Sequence, residues 1–254
     1  AVAALKLRRR LRVARAYPFF PDWLRFSRHV KTSARGRLVR LGSDFAGYSV
    51  PDELPRSDWI CYSGGIGEDA SFDLELIKRY GCTVYAFDPT PRGREVVLLA
   101  AREAHFRFLP YGLWSEDTRL KFYASRDPSH NAYSIPNLQG TSSYVLGDCR
   151  TLSSLMAELG HDHIDLLKLD IEGAEYAVLD SMRAEGISVN VLLIVFHKLS
   201  SVREMIRAVE KLQAEGYEPL HVEKTKVTFI GPAREARHRT EAPGTHSQAR
   251  TLAG

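Results

Sequence analysis

The run Gly64-Gly65-Ile66-Gly67-Glu68-Asp69-Ala70 places three glycines and two carboxylates directly after a β-like segment and ahead of an amphipathic one. Glycine there lets the chain turn sharply from strand to helix and lets a ligand lie against bare backbone. Read literally, Gly65-x-Gly67-x-x-Ala70 satisfies the dinucleotide fingerprint, and Asp88 closes the next β-like run, where an acid can take ribose hydroxyls. A pyrophosphate at a helix start needs bare N–H groups and positive potential, and the carboxylates of Glu68 and Asp69 oppose it. S-adenosyl-L-methionine carries the same adenosine with an ammonium and a sulfonium in place of phosphates, so acids around the turn attract it. The charge pattern therefore favours the methyl donor over NAD, while the literal fingerprint keeps an NAD-dependent oxidoreductase as the alternative. A third reading is a catalytically silent binding module, because a fold does not guarantee chemistry. The same two acids would also compensate the dipole of any helix that begins there.

A second group of reactive side chains follows later. Leu167-Lys168-Leu169-Asp170-Ile171-Glu172-Gly173-Ala174-Glu175 ends an apolar run in acids, and the run from Val191 to Phe196 ends in His197. Methyl transfer from a sulfonium is an in-line displacement, and a hydroxyl acceptor must also lose its proton to a base within hydrogen-bond reach. Asp170, Glu172 and His197 are the catalytic candidates. Asp170 is expected to be essential, with Glu172 and His197 competing for proton removal, and of the three His197 titrates near neutrality without perturbation. Glu172 and Glu175 would also suit the first turn of a following helix. No metal is expected: His161-Asp162-His163 has no further ligands beside it, although Asp170 and Glu172 together could hold one hard divalent ion.

Parallel strands separated by helices would bring these groups together. Strand candidates are Trp59 to Ser63, Thr83 to Phe87, Phe106 to Leu109, Ile164 to Asp170 and Val191 to Phe196. Between them Ala70, Leu74 and Ile77 share one helical face, and Leu152, Leu155, Met156 and Leu159 share another that Gly160 ends. Ser201 and Glu204 form a capping box ahead of Met205, Ile206, Val209 and Leu212. Tyr217 to Val222 and Lys226 to Ile230 read as an antiparallel pair. In an open sheet of this kind ligands sit outside the carboxyl ends of the strands, so Gly65, Asp88 and Asp170 should face one crevice. The aperiodic stretch from Ser125 to Gly147 reads as a loop over the acceptor, with His130 and Asn131 as its binding residues.

At this point the sequence resembles a known family. LLKLDIEGAEYAVL is similar to the signature of the FkbM family of S-adenosylmethionine-dependent methyltransferases, and GGIGEDASFDLELIKRYGCTVYAFDPTPR is similar to that family's cofactor half, the likeness covering roughly residues 56 to 231. The resemblance implies an α/β class I methyltransferase (Rossmann-like) fold, a seven-stranded sheet with its last strand antiparallel and helices on both faces. It implies that Gly64, Gly65 and Gly67 let the methionine part approach the backbone, with Glu68 and Asp69 beside it, that Asp88 holds the ribose, and that Tyr111 and Gly112 lie near the adenine. The acceptor it implies is a hydroxyl of a sugar or other small metabolite. Many relatives carry an acid before the histidine, where this chain has Phe196-His197.

Composition bounds what remains. With 44% hydrophobic and 26% charged residues the chain is globular. Its longest apolar run is six residues, against about 20 for a spanning helix. Three cysteines without paired metal spacing argue for a reducing, cytoplasmic setting, and no secretory signal is expected. The net charge of +4 is uneven: residues 1 to 40 carry +11 and residues 232 to 254 carry +2, leaving −9 for the stretch between. This divides the chain into a basic N-terminal arm (1–46), a methyltransferase domain (47–231) and a disordered tail (232–254). The arm could touch anionic surfaces, or its aromatics could dock on the acidic core. That core repels polyanions, so nucleic acid is not an expected partner.

Overall fold

The computed structural model of this chain describes residues 20–53, 58–91, 93, 103–127, 132–199 and 201–232. In chain order the elements are α1 (Phe20–His29), β1 (Leu38–Leu41), β2 (Tyr48–Pro51), β3 (Ile60–Gly64), α2 (Ser71–Tyr80), β4 (Thr83–Phe87), β5 (Phe106–Leu109), β6 (Gly112–Leu113), β7 (Thr118–Ala124), β8 (Tyr133–Ser134) and β9 (Tyr144–Arg150). Then come α3 (Leu152–Leu159), β10 (Ile164–Leu169), α4 (Glu175–Ala184), β11 (Val189–Val195), α5 (Val202–Ala214), β12 (Glu218–Glu223) and β13 (Lys226–Ile230).

The central sheet has seven strands in the order β12-β13-β11-β10-β3-β4-β5. All neighbours from β11 to β5 pair parallel, and β13 enters antiparallel between β11 and β12. Strand residues alternate between two apolar layers. Leu167, Leu169, Leu192 and Ile194 face α3, α4 and α5, whereas Leu166, Val191, Leu193 and Val195 face α2 and the β1–β2 hairpin. Both faces are covered, which is why β10 and β11 read as nearly continuous apolar runs. The helices end where the sequence indicates: Thr151 and Ser201 accept from the N–H groups of Ser154 and Glu204, and Gly81 and Gly160 close their helices in the left-handed region.

The chain runs outward from β3 through β4 to β5 and then returns to β10 on the other side of β3. That reversal leaves a crevice at the carboxyl ends of β3 and β10.

Two regions differ from the sequence reading. First, the span from Ser125 to Gly147 is not simply a loop. Residues 133–134 and 144–150 are strands, and with β6 and β7 they form a second, four-stranded sheet in the order β6-β9-β7-β8. Gly147, the last residue of the stretch read as a loop, lies inside β9, where a Cβ would be 2.8 Å from the Phe122 ring and 2.7 Å from Pro89. Second, the boundary expected at residues 46 and 47 falls inside the β1–β2 hairpin, whose strands pair from Leu38 with Pro51 to Leu41 with Tyr48. Ahead of it, α1 packs on the domain: Phe26 is fully buried, 5.6 Å from the Phe196 ring, and Lys198 pairs with Asp22 at 2.6 Å.

Candidate active site

The glycine turn is built by its neighbours. Gly65 has φ +78°, and a Cβ on it would lie 1.9 Å from the Asp170 carbonyl oxygen, so only glycine fits between β3 and β10. The buried Lys168 ammonium donates to the Gly65 carbonyl at 2.7 Å and ties the turn to β10. Gly67 has φ +59°, and a Cβ there would meet nothing within 4 Å, which leaves open space beside its backbone. Asp88, at the end of β4, accepts from the Gly67 N–H through Oδ2 at 3.0 Å and from Thr90 N and Oγ1 through Oδ1 at 2.8 and 2.6 Å. Its carboxylate is thus fixed in orientation, with acceptor capacity left on Oδ2.

At the ends of β10 and β11 the three predicted catalytic side chains converge. His197 Nε2 lies 3.4 Å from Glu172 Oε2 and 4.0 Å from Asp170 Oδ1. Behind the ring, Glu175 Oε1 accepts from His197 Nδ1 at 2.7 Å and from the Ile171 N–H at 3.1 Å. Tyr48 donates its hydroxyl to Asp170 Oδ2 at 2.7 Å. Burial by itself would lower the His197 pKa, but the carboxylates of Glu175, Glu172 and Asp170 outweigh it and carry the imidazole up to about 10. Burial raises the Glu172 pKa, against the pull of His197. Tyr48 is pushed far above the usual phenol range by burial and then by Asp170. Glu172 adopts φ +52°, an uncommon conformation for a residue with a side chain, and directs the chain sharply out of β10.

Other expected site residues fall in varied places. Gly64 ends β3, packed under Leu113 and Ile171. Glu68 is exposed on the turn. Asp69, expected at the cofactor, instead accepts from the Ser43 hydroxyl through Oδ2 at 2.6 Å and from the Ser71 N–H through Oδ1 at 2.8 Å. Both oxygens are engaged in anchoring the β1–β2 hairpin and the start of α2, and these bonds, working against burial, hold its pKa below the ordinary value. Tyr111 is half-buried with the Arg150 guanidinium 5.2 Å from its ring centre. Gly112 sits in β6, where a Cβ would meet Phe122 and Cys149 at 2.7 and 3.0 Å, so its role here is packing of the second sheet. His130 and Asn131 lie outside the described residues. His161 bonds the Tyr62 hydroxyl at 2.8 Å and His163 Nε2 lies 3.2 Å from Asp165, both histidines just ahead of β10.

Sequence reasoning missed Tyr48, Lys168 and the backing role of Glu175. Tyr48 stands 122 residues from its partner Asp170 in a segment with no motif, and only the tertiary packing of the hairpin brings it to the site.

The arrangement of glycine turn, acid at the end of β4 and antiparallel β13 is that of a class I methyltransferase fold. The family model for the methyltransferase FkbM domain matches residues 64–219, and the chain belongs to that family. Membership of a methyltransferase family speaks for a methyl donor over NAD. The probable methyltransferase-like protein 24 of Rattus norvegicus is 30% identical over 136 residues, covering 53% of this chain and 31% of that protein. The Homo sapiens protein of the same name is 28% identical over 150 residues, covering 59% and 35%. The chain thus spans about a third of the length of the curated relatives it matches. Among solved structures, Aeropyrum pernix fibrillarin with natively bound S-adenosyl-L-methionine aligns at TM-score 0.39 and 14% identity, over 71% of this chain and 69% of that one.

Proposed function

We propose that this chain moves the methyl group of S-adenosyl-L-methionine onto a hydroxyl of a small metabolite, with a sugar or glycosylated compound as the acceptor class. The observation that carries this reading is the convergence of Asp170, Glu172 and His197 beside the glycine turn, where a hydroxyl can be held and deprotonated.

The residues present fit the donor. The cradle at Gly65 and the open backbone at Gly67 suit the methionine part, Asp88 suits the ribose, and the acids of the crevice suit a ligand with two positive centres. Gly64, Glu68 and Tyr111 complete the cofactor side of this proposal, and Gly112 supports it through the packing of β6. When bound, the donor supplies an electrophilic methyl group. The chain's part is to align the acceptor oxygen, to exclude water and to take up the acceptor's proton. Asp170, held by Tyr48, orients the hydroxyl, and Glu172, whose pKa burial raises, stands beside the His197 ring to take the proton. The turn after β8 touches this end of the crevice: a Cβ on Gly173 would lie 2.8 Å from Pro136. That contact supports the acceptor-covering role of the 125–147 segment, with His130 and Asn131 as its binding residues.

A cytoplasmic, reducing setting belongs to the same proposal, supported by Cys61, Cys82 and Cys149, all buried free thiols. Among the described residues no helix is long and apolar enough to cross a membrane.

The test is transfer of labelled methyl from the donor to a panel of monosaccharides and glycosides, followed by single-turnover rates for Asp170→Asn, Glu172→Gln and His197→Ala. The expected product is an alkali-stable methyl ether, with at least one variant slowed by about 10²-fold or more. Label confined to nitrogen or to base-labile esters, or all three variants within about threefold of wild type, would overturn the hydroxyl reading.

A further inference from the structure

We propose that Asp170, Glu172 and His197 form a site for one first-row divalent cation of the Mn2+ kind, at the acceptor end of the crevice. This proposal stands against the expectation of no metal that the spacing of the sequence suggests. One donor atom from each of the three side chains can be chosen so that all lie within 4.8 Å of one another. Two donors bound to the same ion at about 2.0 to 2.6 Å cannot be much further apart than this. Spacing along the chain hides the set, because its members leave two different strand ends and meet only in the folded sheet.

The surroundings of the three residues point the same way. A metal-binding histidine characteristically gives its second ring nitrogen to a carboxylate that fixes the tautomer and aims the free nitrogen at the ion. Glu175 does this for His197 at 2.7 Å from the start of α4. It does so while fully buried, and its second oxygen, Oε2, has no hydrogen-bond partner. A buried carboxylate without full compensation is costly, and a dication on the far side of the imidazole offsets its charge. Tyr48 fixes the other ligand, leaving Asp170 Oδ1 facing His197. Three carboxylates surround one imidazole here, with Lys226 also acting on Asp170, and a dication offsets much of the negative charge that is left.

The donor set indicates the class of ion. Two carboxylates and one imidazole lack the thiolates of a structural zinc site and the six to eight oxygens of a calcium site. An oxygen-rich set with one nitrogen suits Mn2+ and its first-row neighbours. Three protein ligands leave coordination positions open, and an acceptor hydroxyl or a pair of neighbouring hydroxyls can fill them. A hydroxyl on such an ion is more acidic than a free one. This inference deepens the methyltransferase reading by naming what the cluster holds.

The test uses the full chain stripped with EDTA, with neither methyl donor nor acceptor present, so that its failure is distinct from failure of methyl transfer. Mn2+ is titrated in and the free ion followed by electron paramagnetic resonance. One saturable site per chain is expected. Asp170→Asn and Glu172→Gln should each weaken it at least tenfold, and Glu175→Gln should weaken it by about 10- to 100-fold through loss of histidine positioning. Co2+ in place of Mn2+ should give a visible absorption band that changes in His197→Ala, with circular dichroism checking that each variant is folded. No binding up to millimolar Mn2+, or binding that these substitutions leave unchanged, would overturn the proposal.

Discussion

At the scale of single residues, the site depends on groups whose orientation is set by a second side chain. Asp88 illustrates this on the cofactor side. It shapes the glycine turn through Gly67 N, and in the proposed function it offers the ribose a charged acceptor. Replacing it with Asn keeps the shape and removes the charge, and replacing it with Ala removes both. A hydrogen bond to a charged group contributes about 1.5 to 3 kcal/mol, so calorimetry should show Asp88→Ala binding the donor at least tenfold more weakly, with Asp88→Asn in between. Unchanged affinity would remove Asp88 from the site. On the acceptor side, Tyr48→Phe deletes the bond to Asp170 and little else, since the ring stays packed on Phe72 at 5.0 Å and under the Lys226 ammonium at 4.5 Å. The expected result is a fall in kcat of roughly tenfold, from about 1.4 kcal/mol of lost positioning, with donor affinity at the wild-type level. Equal losses in both would mark Tyr48 as a packing residue. Each of Asp170, Glu172 and His197 could be picked out in the sequence as an ionisable group at a strand end. Their mutual distances could not, because these depend on strand order and on the turn at Glu172.

At the scale of elements, the central strands β10 and β11 were legible because burial on both faces leaves mostly apolar residues along their whole length. Their bounds fall within one or two residues of the expected ones. Helix ends were legible through Gly160, Ser201 and Glu204, whose cap chemistry is local. The second sheet and the β1–β2 hairpin were not, because their stability is tertiary. Phe122 needs Gly112 and Gly147 beneath it, and β2 is latched to β13 by Thr228 Oγ1 donating to the Ser49 carbonyl at 2.6 Å. Helix α1 is a similar case: its sequence reads as a basic arm, yet Phe26 is fully enclosed against Phe196, the residue before His197. Emptying such a site costs about 3 to 5 kcal/mol. Phe26→Ala should therefore lower the denaturation midpoint substantially, with an unchanged urea m-value. A midpoint shift worth less than about 1 kcal/mol would mean that α1 is only loosely applied to the domain, since that is far below the range for an enclosed ring.

At the scale of the whole molecule, the switch in strand order gathers the glycine turn, Asp88 and the Asp170 cluster along one edge of the sheet, while the hairpin and the turn after β8 touch that edge. The stretch between residues 41 and 231 carries a net −9, matching a cationic donor and opposing a diphosphate. The sequence carried this contrast in Glu68 and Asp69, although Asp69 is turned toward Ser43. The measurement that tests the central claim most directly needs no acceptor: titration calorimetry of the full chain with S-adenosyl-L-methionine and, separately, with NAD. The account predicts one saturable site for the methyl donor and no detectable heat of binding for NAD at the same concentrations. Saturable binding of NAD with none of S-adenosyl-L-methionine would contradict it.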